Sequence, residues 1–212
     1  MASTRGVNDR TAPALYARAK AAAAPFKGDA VAQGWLAEMA FDADDLDGAE
    51  VAADAALAVD PEQSQALLYK ARVLLARADK EKTTDPKRWT AARRWIVKAN
   101  RANTNDAAAL ALYYQSFGMA GATPTKAAVA GLFRANDLAP QDRFVAFAAA
   151  RHHVLDGNLP QAKRLLRALA SDPHAGADNP AQRLLAALDA GGAGEAALRA
   201  ADAATTDAAA RN

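Results

Sequence analysis

Small residues recur along this chain in two interleaved series, and that repetition restricts the fold more than any other feature. One series is Ala37, Ala71, Tyr114 and Ala150, with the third member the exception in size; the other is Ala49, Ala92, Ala128 and Ala162. Members of the first series stand 34, 43 and 36 residues apart, and members of the second 43, 36 and 34. A period of this size marks stacked supersecondary units, each too small to bury its apolar face alone. Both series require the same two insertions, one at 79–85 in the second unit and a shorter one at 118–121 in the third. These stretches are polar or glycine-containing, where added length costs little.

The punctuation between units fits helical hairpins. Asp60 and Pro61, Ala139 and Pro140, and Asp172 and Pro173 each close an apolar run, while Asn103 and Thr104 hold the equivalent place between the first two. Proline there stops one helix and is tolerated in the first turn of the next. Asp85, Thr123 and Asn179 each precede a proline, which puts a capping oxygen at the start of a helix. Helices are predicted near 11–24, 30–43, 47–59, 64–79, 86–102, 106–119, 124–138, 142–156, 159–170 and 179–190. No segment alternates apolar and polar residues over the length of a strand, and about sixty alanines dominate the 51% apolar content. Alanine favours helix and lets helices approach closely, so the expected class is all-α without a sheet.

Leu36 and Ala37, then Leu46, Asp47, Gly48 and Ala49, then Ala53, Ala56, Asp60 and Pro61 resemble one complete tetratricopeptide (TPR) repeat. The resemblance covers residues 30–173 and is strongest in the first unit. It implies a right-handed superhelical array, an α-solenoid, of about four TPR-like hairpins at 30–63, 64–106, 107–142 and 143–173, with extra helices at both ends. Residues 1–29 would then supply an N-terminal segment and a half-hairpin capping helix, and 174–190 a C-terminal capping helix. Residues 191–212 are an alanine-rich tail expected to fray or dock loosely. Because 11–24 aligns with a second helix whose first helix is missing, the expectation is the TPR region of a larger bacterial protein.

The resemblance also implies a concave groove lined by the first helix of each hairpin. Its residues here would be Trp35, Glu38 and Phe41; Gln65, Tyr69 and Arg72; Ala108, Leu112 and Gln115; and Phe144, Phe147 and Arg151. Aromatic side chains interleaved with arginine are plausible peptide anchors. One subset of the family grips a C-terminal carboxylate through basic and amide side chains. That would need them at Gly34, Glu38, Tyr69, Ala108 and Leu112, where none stands. The implied role is a scaffold that binds a peptide or helical protein partner in the groove. The alternative is a C-terminal accessory domain of a larger bacterial enzyme, positioning substrate or driving assembly, and self-association is a third possibility.

Other motifs weigh less. Asp42, Asp44, Asp45 and Asp47 resemble a calcium loop, but Gly48 comes one place late and no closing glutamate follows, so a turn between helices is expected. His152 and His153 are adjacent on a helix and point about 100° apart, unlike a metal pair; His153 is expected to pack within its own hairpin, and His174 to stand alone in a turn. No phosphate-binding loop, nucleophile elbow or zinc-protease motif occurs, so neither catalysis nor a cofactor is expected. On the basic helix after Lys87, a buried stripe of Trp89, Ala92, Ile96 and Ala99 should leave Arg93, Arg94, Lys98 and Arg101 on a solvated outer side. With a net charge of only +2, no nucleic-acid partner is expected. No long apolar run suggests membrane insertion, and the absence of cysteine suits cytoplasm and periplasm equally, so a soluble chain of either compartment is expected.

Overall fold

The structure, a computed structural model, describes residues 12–171 and 179–209, with side chains as far as residue 203. Expectations for 1–11, Asp172, Pro173, His174 and the rest of 172–178 lie outside the described residues. Among those described, every regular element is helical and there is no strand. The helices are α1 (Ala12–Ala23), α2 (Ala30–Asp42), α3 (Leu46–Val59), α4 (Ser64–Lys80), α5 (Pro86–Ala102), α6 (Ala107–Met119), α7 (Lys126–Leu138), α8 (Arg143–Leu155), α9 (Leu159–Ala170), α10 (Pro180–Asp189) and α11 (Gly194–Ala209). A short 3-10 turn follows α1 at Ala24–Phe26.

Helix starts are fixed by side-chain oxygens. Asp29, Asp45, Asp85, Asp106 and Asp142 accept hydrogen bonds from first-turn amides of α2, α3, α5, α6 and α8. Gln63, Asn158 and Asn179 do the same for α4, α9 and α10. Each such cap contributes about 1 kcal/mol by satisfying an amide that the helix itself leaves unpaired. The acidic turn between α2 and α3 is explained this way: Asp45 caps α3 through the Gly48 amide at 2.9 Å, and Asp44 takes the left-handed φ of 60° that turns the chain. A Cβ at Gly48 would press on the Asp45 carboxylate and the Tyr16 hydroxyl, so a larger residue there would displace the side chain that caps α3.

The chain forms two compact units, one through Gly131 and the other from Leu132. In the first, α2 packs on α3 and α4 on α5, consecutive pairs meet through α3 with α4 and α5 with α6, and α2 also lies against α4. In the second, α8 packs on α9, α9 on α10 and α10 on α11. All members of the two small-residue series are fully buried except Tyr114. In α6 the fully buried polar position is instead Ser116, two residues further on.

Of the two expectations for the tail, the structure has the docked helix as far as it is described. The tail forms α11, which docks on α8 as well as α10, with Ala197, Leu198 and Ala201 buried in the second unit's core. Gly191 at φ 89° and Gly194 at φ 53° make the reversal that permits this docking.

The first unit's largest apolar cluster joins Leu75, Trp89 and Ile96 to Leu67, Leu68 and Leu112. Ile96 is 1% exposed. Ile96→Ala should therefore cost about 3 kcal/mol, measured by urea unfolding. Beside this cluster Lys70 bridges Glu50 and Asp54 at 2.8 and 2.7 Å, while Arg77 bridges Glu50 and Asp47. The Lys70 hydrogen bond, aided by Arg77, holds the Glu50 carboxyl below the usual glutamate range against the opposing effect of burial. A depressed folded-state pKa adds stability above the unfolded value, and that stability disappears as pH falls through the folded one. Glu50→Gln should accordingly lower the thermal midpoint at pH 7, and the gap from the parent chain should close as melts are repeated below the ordinary glutamate pKa.

Candidate functional site

The groove residues expected from sequence divide between the two units. In the first, Trp35 projects from α2 with 57% of its surface exposed, and Val31, one turn earlier, is 56% exposed. Tryptophan is usually highly buried, and Trp89 in the core stripe of α5 is only 4% exposed. Val31 and Trp35 thus form an apolar stripe on α2 that the unit leaves uncovered.

The neighbouring positions have other duties. Glu38 is buried and accepts a hydrogen bond from the Gln65 amide on α4. Tyr69 is 2% exposed: its ring fills space left by Ala37, Ala52, Ala53 and Ala56, and Phe41 meets it edge-on at 5.7 Å. Tyr69 is therefore a core residue, since the alanine-rich crossing of α2 and α3 leaves space that a bulky partner from α4 fills. Leu112 likewise belongs to the core between α4, α5 and α6. Arg72 is half-buried with its guanidinium 5.3 Å from the Tyr69 ring centre, and its Nε is buried without a hydrogen-bond partner. Gln115 is half-buried on α6.

In the second unit Phe147 is partly buried against the core, and the Arg151 guanidinium lies 5.8 Å from its ring centre. Arg151 is engaged: Asp202 of α11 accepts from both its Nη1 and Nη2, at 2.8 and 2.9 Å. Arg183 Nε adds a hydrogen bond to the Ala201 carbonyl at 3.2 Å. The α8 face that was expected to be open is thus covered by the chain's own last helix, although Phe144 remains 58% exposed. Leu198 is the one large apolar residue that signalled this docking in the sequence.

Two further expectations change. His153 stacks on Phe133 of α7 at 4.2 Å, not within its own hairpin, and burial pushes its pKa down. His152, also beside Phe133 at 5.9 Å, is the buried member of the pair. The expected core stripe of α5 is buried at all its positions, but Arg93 is not simply solvated. Its Nε donates to the Ser116 hydroxyl and an Nη to the Ser116 carbonyl, both at 2.9 Å. Tyr113 and Phe117, one turn apart on α6, were the sequence sign that this side of α5 has a neighbour.

Among the described residues no group of three or more His, Asp or Glu side chains converges as metal ligands, and no helix is long and apolar enough to cross a membrane. The Arg151–Asp202 pair joins the tail to α8, so Asp202→Asn should speed amide exchange over 194–203 about fivefold while α9 and α10 keep their protection. Hydrogen exchange read by mass spectrometry checks both parts.

With the geometry in place, comparison adds no relative: no protein-family model matches this chain, and no curated protein is significantly similar to it in sequence.

Proposed function

We propose that this chain is a protein-interaction scaffold, a right-handed superhelical array of about four TPR-like hairpins that holds a peptide or helical partner on the inner helices of its first hairpins. The observation that carries this reading is the exposed Val31 and Trp35 stripe on α2. An apolar aromatic left in water costs solvation free energy that a partner recovers, and tryptophan is enriched among residues that dominate binding. Support for the array comes from the packing of α2 on α3, α4 on α5 and α2 on α4, with the recurring alanines at the buried positions. Phe41 and Tyr69 meet edge-on within the same pair of hairpins, and Arg72 sets a cation over the Tyr69 ring. Phe147 and Arg151 contribute to the tail contact in this reading, leaving the partner to the first unit.

The test is a capture experiment with the full chain as bait, followed by the same capture with Trp35→Ala. The substitution removes an exposed side chain, so stability should change by no more than about 0.5 kcal/mol. The captured partner should bind about tenfold more weakly, as expected for loss of a central anchor. A partner retained at full affinity by a normally folded Trp35→Ala chain would overturn the assignment.

A further inference from the structure

A concavity lies between α5 and α6, sharing no residue with the α2 stripe. It has a volume of about 490 Å³, and its apolar floor is made by Val97, Tyr113 and Phe117. The Arg93 guanidinium lies over the Phe117 ring there, 4.0 Å from its centre and anchored by Ser116, so it forms part of the wall. The rim is a row of exposed cations, Arg94, Lys98 and Arg101, all from α5.

No carboxylate among the described residues answers this row, in contrast to several other cations. Lys70, Arg77, Arg88, Arg151, Lys163 and Arg199 each have a carboxylate partner. Arg94 and Arg101 have no ion pair among the described residues, and Lys98 has only the Trp95 ring, 4.4 Å from its ammonium. The row thus presents positive charge that a partner of opposite charge can meet.

The spacing selects its form. Positions 94, 98 and 101 fall on one side of a helix, and at about 1.5 Å per residue the cations span about 10 Å along its axis. A single phosphate would need cations converging on one point. A row over an apolar trough instead matches a helix that lies alongside α5, with its apolar side chains in the trough and its carboxylates one turn apart. We propose that the α5–α6 groove is a docking site for an acidic amphipathic helix of a partner protein.

The probe is a fluorescein-labelled 17-residue peptide, the length of α5, with leucines along one helical face and flanking glutamates. Its binding to the full chain is followed by anisotropy, and three comparisons accompany it. Substituting Arg94, Lys98 and Arg101 together by alanine touches only exposed positions, and circular dichroism confirms that helicity is kept. Affinity should fall about eightfold, the product of about twofold for each exposed charge pair. A peptide with glutamine in place of every glutamate should bind weakly to both chains, whereas Trp35→Ala should bind the acidic peptide normally, which separates this site from the α2 stripe. An unchanged affinity in the triple variant overturns the proposal. So does tighter binding of a single-stranded oligonucleotide that competes with the peptide, or concentration-dependent self-association that the triple variant abolishes.

Discussion

Ala37, Ala52, Ala53, Ala56 and Ala66 make one buried cluster with the ring of Tyr69, where small side chains let the helices approach closely and Leu36, Phe41 and Leu57 pack around the edge. The rest of the first unit depends on that close approach. Crossings made by alanine bring backbones near and leave shallow spaces, so a few large residues from the next helix must fill them. Tyr69 does this for α2 and α3, and Trp89 with Ile96 and Leu75 does it for α4 and α5. Methyl groups bury little area each, at about 0.8 kcal/mol per carbon, so stability is concentrated in those few large side chains and in the helix caps. The same economy of bulk explains why an exposed Trp35 is conspicuous. In a chain with 6% aromatic residues, placing one on the surface forgoes core volume that would otherwise be scarce.

Much of this was legible from sequence because it is local or periodic. The caps at Asp85 and Asn179 follow from a short polar residue before proline, and the α5 stripe follows from 3.6-residue periodicity. The alanine series showed which positions are buried, with Tyr114 correctly the odd one. What sequence could not give was the direction of a side chain at a position where both a groove and a core are one turn away. Trp35 and Tyr69 each stand two residues before the buried alanine of their unit, yet one ring turns into solvent and the other into the crossing. The outcome depends on whether α4 or α2 has a further helix to pack against, which is a tertiary matter.

The tail shows the same limit in another form. A segment whose only large apolar residue is Leu198 has little hydrophobic drive of its own, so its docking rests on small buried residues and on the bidentate Arg151–Asp202 pair. Those partners are about fifty residues apart in sequence. No pattern within α11 names α8 as its neighbour; the glycines at 191 and 194 state only that the chain reverses.

Charge shows how far a whole-chain total conceals local imbalance. The net value of +2 joins an acidic run on α3, which Lys70 and Arg77 neutralise from α4, to a basic row on α5 with no acid opposite it. The first arrangement ties two hairpins together, since each cation spans from one helix to the other. The second does no such work inside the chain, as α5 is already held by Trp89, Ala92, Ile96 and Ala99 on its other face. Like charges one turn apart repel, so a helix gains nothing from carrying them in a row unless an anion lies alongside. Beside that row the apolar trough of Val97, Tyr113 and Phe117 also stands partly open. Cationic rim and apolar floor are both relieved by one kind of occupant, an acidic amphipathic helix, whereas a purely ionic ligand would leave the floor wet and a purely apolar one would leave the rim unpaired.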